Sequence, residues 1–179
     1  MKFLGKDNMK RFLFKISFLL IFGVSLSFKV SDDLKKMREL FPQINKNEEA
    51  AKALKEIARK SQTVPVALKT AYHAAGVMAS AKYKINPASK LSLFNQGKKE
   101  LENTFATDSN NIEIRYIRLV IQTNVPSILG YKSDIARDKT QLKAKLASVR
   151  TADPELYSTI YAYLLYKGDL TVSEKKSLR

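Results

Sequence analysis

With 179 residues, no cysteine and no tryptophan, the chain excludes a disulfide framework, a thiolate metal site and a cysteine nucleophile. Its 32 Lys+Arg against 17 Asp+Glu give a formal net charge of +15, which favours anionic partners such as phospholipid head groups or acidic polysaccharide. The single histidine, His73, rules out histidine-pair zinc motifs and leaves one base for any Ser-His-Asp arrangement.

Lys2, Lys6, Lys10, Arg11 and Lys15 precede an apolar run from Ile16 to Val24, which leads into Ser25-Leu26-Ser27. A basic start, a short apolar stretch and small residues at a cleavage position predict a secretory signal peptide over residues 1–27, cleaved near Ser27. The apolar stretch falls short of the roughly 20 residues that a spanning helix needs, and retention as an N-terminal membrane anchor is the alternative. Either Met1 or Met9 suits initiation, and Met9 with Lys10-Arg11 is the better-shaped start. Cleavage removes five basic residues and one acid, so the remaining 152 residues keep 27 basic against 16 acidic groups and a net charge of +11.

That length predicts one helical domain over residues 28–170, with a polar tail over 171–179. No Asn-x-Ser/Thr sequon occurs, so a bacterial envelope, periplasmic or secreted, is the plainer setting. Nucleic acid is not expected as a partner. Export argues against it, and the lysines spread along every polar face rather than forming one arginine-rich stripe.

Helix signals run in order along the chain. Ser31, Asp32 and Asp33 open a first helix to about Phe41, ended by Pro42. Asn47-Glu48-Glu49 opens a second, with Ala50, Ala51, Leu54, Ile57 and Ala58 on one face. Pro65 fits the first turn of a third, to about Ile85, whose many small residues predict close approach of its neighbours and a central place. Pro87 starts a fourth, in which Leu91, Phe94, Leu101 and Phe105 share a side, ending near Thr107.

The fifth helix, Ile112 to about Thr123, is apolar around most of its circumference, with Arg115, Arg118 and Gln122 as a narrow polar strip. A brief apolar turn then ends at Gly130-Tyr131, and Ser133 caps a sixth helix with Ile135, Leu142, Leu146 and Val149 inward. Asp153 as cap, Pro154 and Glu155 introduce a seventh helix, closed by Gly168. In it Tyr157 and Tyr161 are expected to face inward and Tyr163 outward. The tail forms a short polar helix at most. No segment alternates with period two between hairpin turns, so the predicted fold is all-α: about seven helices as antiparallel hairpins, in an array or a compact bundle, with no sheet.

Gly97, Leu101 and Thr104, followed by Asp108-Ser109-Asn110-Asn111, resemble the second helix and exit turn of a tetratricopeptide repeat. Thr104 and Ser109 stand where that family favours alanine and proline, and no second copy with the same spacing follows. The stretch from about Tyr72 to Tyr131, with Asn86-Pro87, Gly97-Lys98-Lys99, the segment Glu113 to Arg118 and Asn124-Val125-Pro126, is also similar to a group of small exported bacterial helical proteins. That resemblance implies a compact helical body and no particular activity.

Two acids stand on apolar arcs: Glu113 amid Tyr116, Ile117 and Val120, and Asp138 in the inward stripe of the sixth helix. Buried carboxylates must be paired or protonated, and Arg115 and Arg118 are the natural partners. Glu113 also lies three residues after Asn110, the spacing of a capping box that would return its carboxylate to the helix start. The structural reading is therefore a polar core of Glu113, Arg115, Arg118 and Asp138, with an Arg118–Asp138 pair across the fifth and sixth helices. The functional reading of the same residues is a carboxylate pair able to do acid and base work on a cell-wall glycan.

His73 has no carboxylate one turn away to orient it and is expected at the surface or semi-exposed. Gly97-Lys98-Lys99 lacks the strand and glycine spacing of a phosphate loop. No catalytic, cofactor or metal residue is expected. The resulting expectation is an exported, non-enzymatic helical protein that binds or scaffolds an envelope component through one face of its helices, with a protein or an anionic surface as partner and an undetermined oligomeric state. The alternatives are a basic binder of anionic lipid head groups or polysaccharide, associated with the membrane surface, or a carboxylate-dependent cell-wall hydrolase.

Overall fold

A computed structural model describes residues 30–167 and 171–177 of the chain. Segment 1–27, where the export signal is expected, and Gly168, expected as a helix stop, lie outside the described residues. Seven helices of nine or more residues follow one another: α1 (Asp32–Leu40), α2 (Glu48–Lys60), α3 (Val66–Ser80), α4 (Pro87–Thr107), α5 (Ile112–Asn124), α6 (Ile135–Ala152) and α7 (Pro154–Lys167). The six-residue α8 (Val172–Ser177) follows, and the described residues contain no strand. Among them, no helix is long and apolar enough to cross a membrane.

Most helix starts are fixed by short polar side chains. Ser31 Oγ accepts from the Leu34 amide, and Asn47, Asn86 and Asn111 each accept two amides of the turn that follows. Asp153 does the same for the Leu156 amide. The start of α6 differs from expectation. Asp134, not Ser133, occupies the cap position and caps no amide, because its carboxylate takes Arg137 and the Ser133 hydroxyl instead. Pro65 likewise sits just before α3 rather than within its first turn, and α3 stops at Ser80, giving way to the tighter turn Ala81–Tyr83.

Consecutive helices pack as neighbours, with α3 against both α2 and α4 and also touching α5, while α6 bridges α5 and α7. Glycine lets the backbones meet. A Cβ on Gly97 would lie 2.7 Å from the Ala74 carbonyl oxygen and 2.6 Å from Met78 Cγ, so α4 lies directly on α3. Along α3, Ala71, Ala74, Ala75 and Ala79 are buried together with Tyr72, Val77 and Met78. Leu54, Leu101, Ile114, Ile117, Leu119, Leu142, Leu146, Ile160 and Leu164 complete a single core.

One aromatic expectation is reversed. Tyr163 turns inward, its ring 5.5 Å from that of Tyr116 and edge-on to it, with its hydroxyl on Thr123 Oγ1. Tyr166 is the outward tyrosine of α7. Tyr157 and Tyr161 stack in parallel, both half-buried. Leu91, expected inward with Phe94, is exposed at the start of α4.

Candidate functional site

Three features of the fold can carry function: two buried charged clusters and one apolar groove.

The first cluster is built on Glu113, whose side chain is almost fully buried at the first turn of α5. It does not return to the helix start, because Asn111 and not Asn110 is the cap, which makes Glu113 the second rather than the third residue of the helix and takes it off the capping-box position. Its partners are neither Arg115 nor Arg118. Arg38 of α1 donates from Nε to Oε1 and from Nη2 to Oε2, both at 2.7 Å, and the Tyr72 hydroxyl of α3 donates to Oε1 at 2.6 Å. The same guanidinium reaches Asp153, the cap of α7, with Nη2 2.7 Å from Oδ2. One arginine therefore joins α1, α5 and α7, with α3 attached through Tyr72. Burial alone would lower the Arg38 pKa, but hydrogen bonds and charge from Glu113, then Asp153, outweigh it and hold it above its ordinary value. Tyr72 is pushed well above the usual phenol value by burial first and by the charge of Glu113 second.

The second cluster gathers Arg115, Arg118 and Asp138. Arg118 donates from Nε to Asp138 Oδ2 at 2.8 Å and from Nη2 to Oδ1 at 2.7 Å, while Arg115 Nη1 reaches Oδ1 at 2.6 Å. Asp138 is fully buried. Arg118 Nη1 extends the cluster to Glu102 of α4 at 3.0 Å, and Glu102 in turn accepts the Tyr131 hydroxyl. The face of Phe105 covers the Arg118 guanidinium, whose carbon lies 3.5 Å from the ring centroid. Burial works against the Arg118 charge, and Asp138 followed by Glu102 more than reverses it. Gln122, the last member of the polar strip on α5, is fully buried, and neither of its amide atoms has a hydrogen-bond partner among the described residues.

In both clusters every carboxylate oxygen of Glu113 and Asp138 accepts at least one hydrogen bond from a guanidinium, while the buried Arg115 Nε has no hydrogen-bond partner among the described residues. The two acids also belong to separate clusters rather than flanking a shared cleft. His73 is half-buried, and α4 provides the carboxylate that its own helix lacks: Nδ1 lies 2.8 Å from Glu100 Oε1.

The third feature is open. A groove of about 580 Å³ runs between the α3–α4 corner and the segment after α5. Met78, Ala79, Phe94, Val125, Pro126 and Leu129 are among its walls, and Leu91 and Ile128 stand exposed within it. Lys82 and Lys90 also line it, and among the described residues no acid does. The apolar turn after Pro126 is its trace in the sequence, where helical spacing places Leu91 inward with Phe94. Of Arg38, Tyr72, Glu102 and Tyr131, none carried a local signal.

No protein-family model, no curated protein sequence and no solved structure matches the chain.

Proposed function

We propose that the chain is an exported, non-catalytic binding protein that takes an envelope component into the groove beside α3, α4 and the end of α5. The groove carries this reading. At about 580 Å³ it falls within the range of small-molecule sites, roughly 300–1,000 Å³, and its apolar walls and few polar groups are what such sites present. Exposed Leu91 and Ile128 beside it are apolar surface that a ligand would remove from water. The charged clusters support a non-catalytic role, since Glu113 and Asp138 spend their acceptor capacity on guanidiniums and a hydroxyl.

The test is a titration of the full chain with Nile red, a neutral apolar dye. Saturable binding at a single site is expected, lost in Ile128→Glu and retained in Lys36→Gln on a distant exposed face. Absence of saturable binding, or equal binding by Ile128→Glu, refutes the groove as a ligand site.

A further inference from the structure

We infer that the ligand of this groove is a long-chain fatty acid, its acyl chain along the apolar walls and its carboxylate between Lys82 and Lys90. The inference rests on the groove being the ligand site and adds the chemistry of what enters it.

Size is the first argument. A molecule of liquid water takes about 30 Å³, and 580 Å³ is room for roughly 19 groups of that size. That is enough for one acyl chain with its carboxylate. A separate cavity of about 60 Å³ shares Met78, Ala79, Phe94 and Val125, as well as Asn45 and Asn124, with the groove and is also lined by Ile44, Ala75 and Ile121.

The hydrogen-bonding inventory points the same way. Asn124 Nδ2 is spent on the Val120 carbonyl and the Asn45 carbonyl on Lys82. A peptide would bring amides along its whole length that these walls do not satisfy, whereas an acyl chain brings none. Charge then sets the polar end. Lys82 lies in the turn after α3 and Lys90 in the first turns of α4, so both cations come from one corner of the groove. Lys82 Nζ keeps N–H groups to spare beyond its 2.7 Å bond to Asn45, and Lys90 forms no side-chain hydrogen bond or ion pair among the described residues. With no acid among the described residues that line the groove, a single anionic head is matched there and a cationic one repelled.

The experiment titrates the full chain by calorimetry with palmitate, hexadecanol and lysophosphatidylglycerol, and follows its mass in solution by sedimentation. Palmitate is expected at a single site, tighter than hexadecanol by roughly tenfold. The double variant Lys82→Gln/Lys90→Gln should erase that difference while keeping hexadecanol binding. Leu91→Glu should abolish both with helical circular dichroism intact, and Ile128→Glu, at a more exposed position, serves if Leu91→Glu fails to fold. Equal affinity for palmitate and hexadecanol overturns the fatty-acid assignment and leaves the groove as an apolar ligand site. Failure to bind either lipid or Nile red overturns both readings. Tighter binding of lysophosphatidylglycerol than of palmitate gives the groove to a lipid phosphate, and a dimer that palmitate does not dissociate gives it to a second copy of the chain. Each of these overturns the inference.

Discussion

Arg38 and Glu113 meet as a two-point fork, Nε to Oε1 and Nη2 to Oε2, although 75 residues separate them in the chain. The planar guanidinium matches the planar carboxylate, and its outer edge still reaches Asp153. The contact ties α1 to α5 and α7, where a buried acid on one helix and the cap of the other share one guanidinium.

Arg38→Met should therefore strand Glu113 with the Tyr72 hydroxyl as its remaining side-chain partner and cost about 3–5 kcal/mol in urea denaturation. Adding Glu113→Gln should recover much of the loss, since the uncompensated charge is then gone. Arg38→Lys should fall between parent and Arg38→Met, because one ammonium does not reproduce a fork shared by two carboxylates. Equal stability of Arg38→Met and parent would mean that the cluster is not structural.

Such a contact has no trace in local sequence. Arg38 sits among the charges of an ordinary amphipathic helix, and only the path of the chain decides which acid it meets. The helices themselves were legible, because caps and apolar spacing act within a turn or two of their own positions. The pairing of Arg118 with Asp138 could also be anticipated, since 20 residues and a short connection separate them and both stand on otherwise apolar arcs. Glu113 shows where the reading failed. Its capping-box spacing counts from Asn110, but the cap is Asn111, which puts Glu113 one place short of the box and leaves its carboxylate to a partner from another helix. The groove was hidden for a related reason: helical periodicity places Leu91 on the side of Phe94, yet α3 ends in a turn before α4 begins, and nothing covers the first turns of α4 there.

The glycines of the helix contacts should not respond alike to substitution. Gly97→Ala brings a Cβ within 2.7 Å of the Ala74 carbonyl oxygen, and backbone does not yield cheaply, so a loss of about 1–3 kcal/mol is expected despite alanine's better helix propensity. At Gly76 the nearest atom is Lys55 Cγ at 2.6 Å, part of a flexible side chain, and the Ala51 carbonyl oxygen lies at 3.2 Å. Gly76→Ala should be close to neutral, the propensity gain of up to about 1 kcal/mol offsetting the adjustment. Gly130 has open space around it but a φ of 60°, so Gly130→Ala should cost about 1–2 kcal/mol through backbone strain alone. Chemical denaturation of the three variants gives the ranking, and a Gly97→Ala protein as stable as Gly76→Ala would contradict the close approach of α3 and α4.

Buried tyrosines set the alkaline limit of the fold. Tyr72, Tyr116 and Tyr131 are all held above the ordinary value of 10.0, by burial first and then, for Tyr72 and Tyr131, chiefly by the adjacent acids Glu113 and Glu102. A phenol whose folded pKa is raised keeps its proton in the native state after the unfolded chain has lost it. Its contribution to stability is therefore complete below pH 10.0 and is lost progressively as the pH rises from there toward the folded value. The melting temperature should be insensitive to these groups at neutral pH and fall above pH 10. In tyrosinate absorbance the buried set should ionise only in a cooperative step that coincides with loss of helical circular dichroism. Tyr72→Phe removes a hydrogen bond to Glu113 and should cost about 1–3 kcal/mol at neutral pH, yet it should make the decline above pH 10 shallower. Ionisation of all the tyrosines with the helices still intact would show that these phenols are open to water, and the packing of α3 and α5 described above would then be wrong.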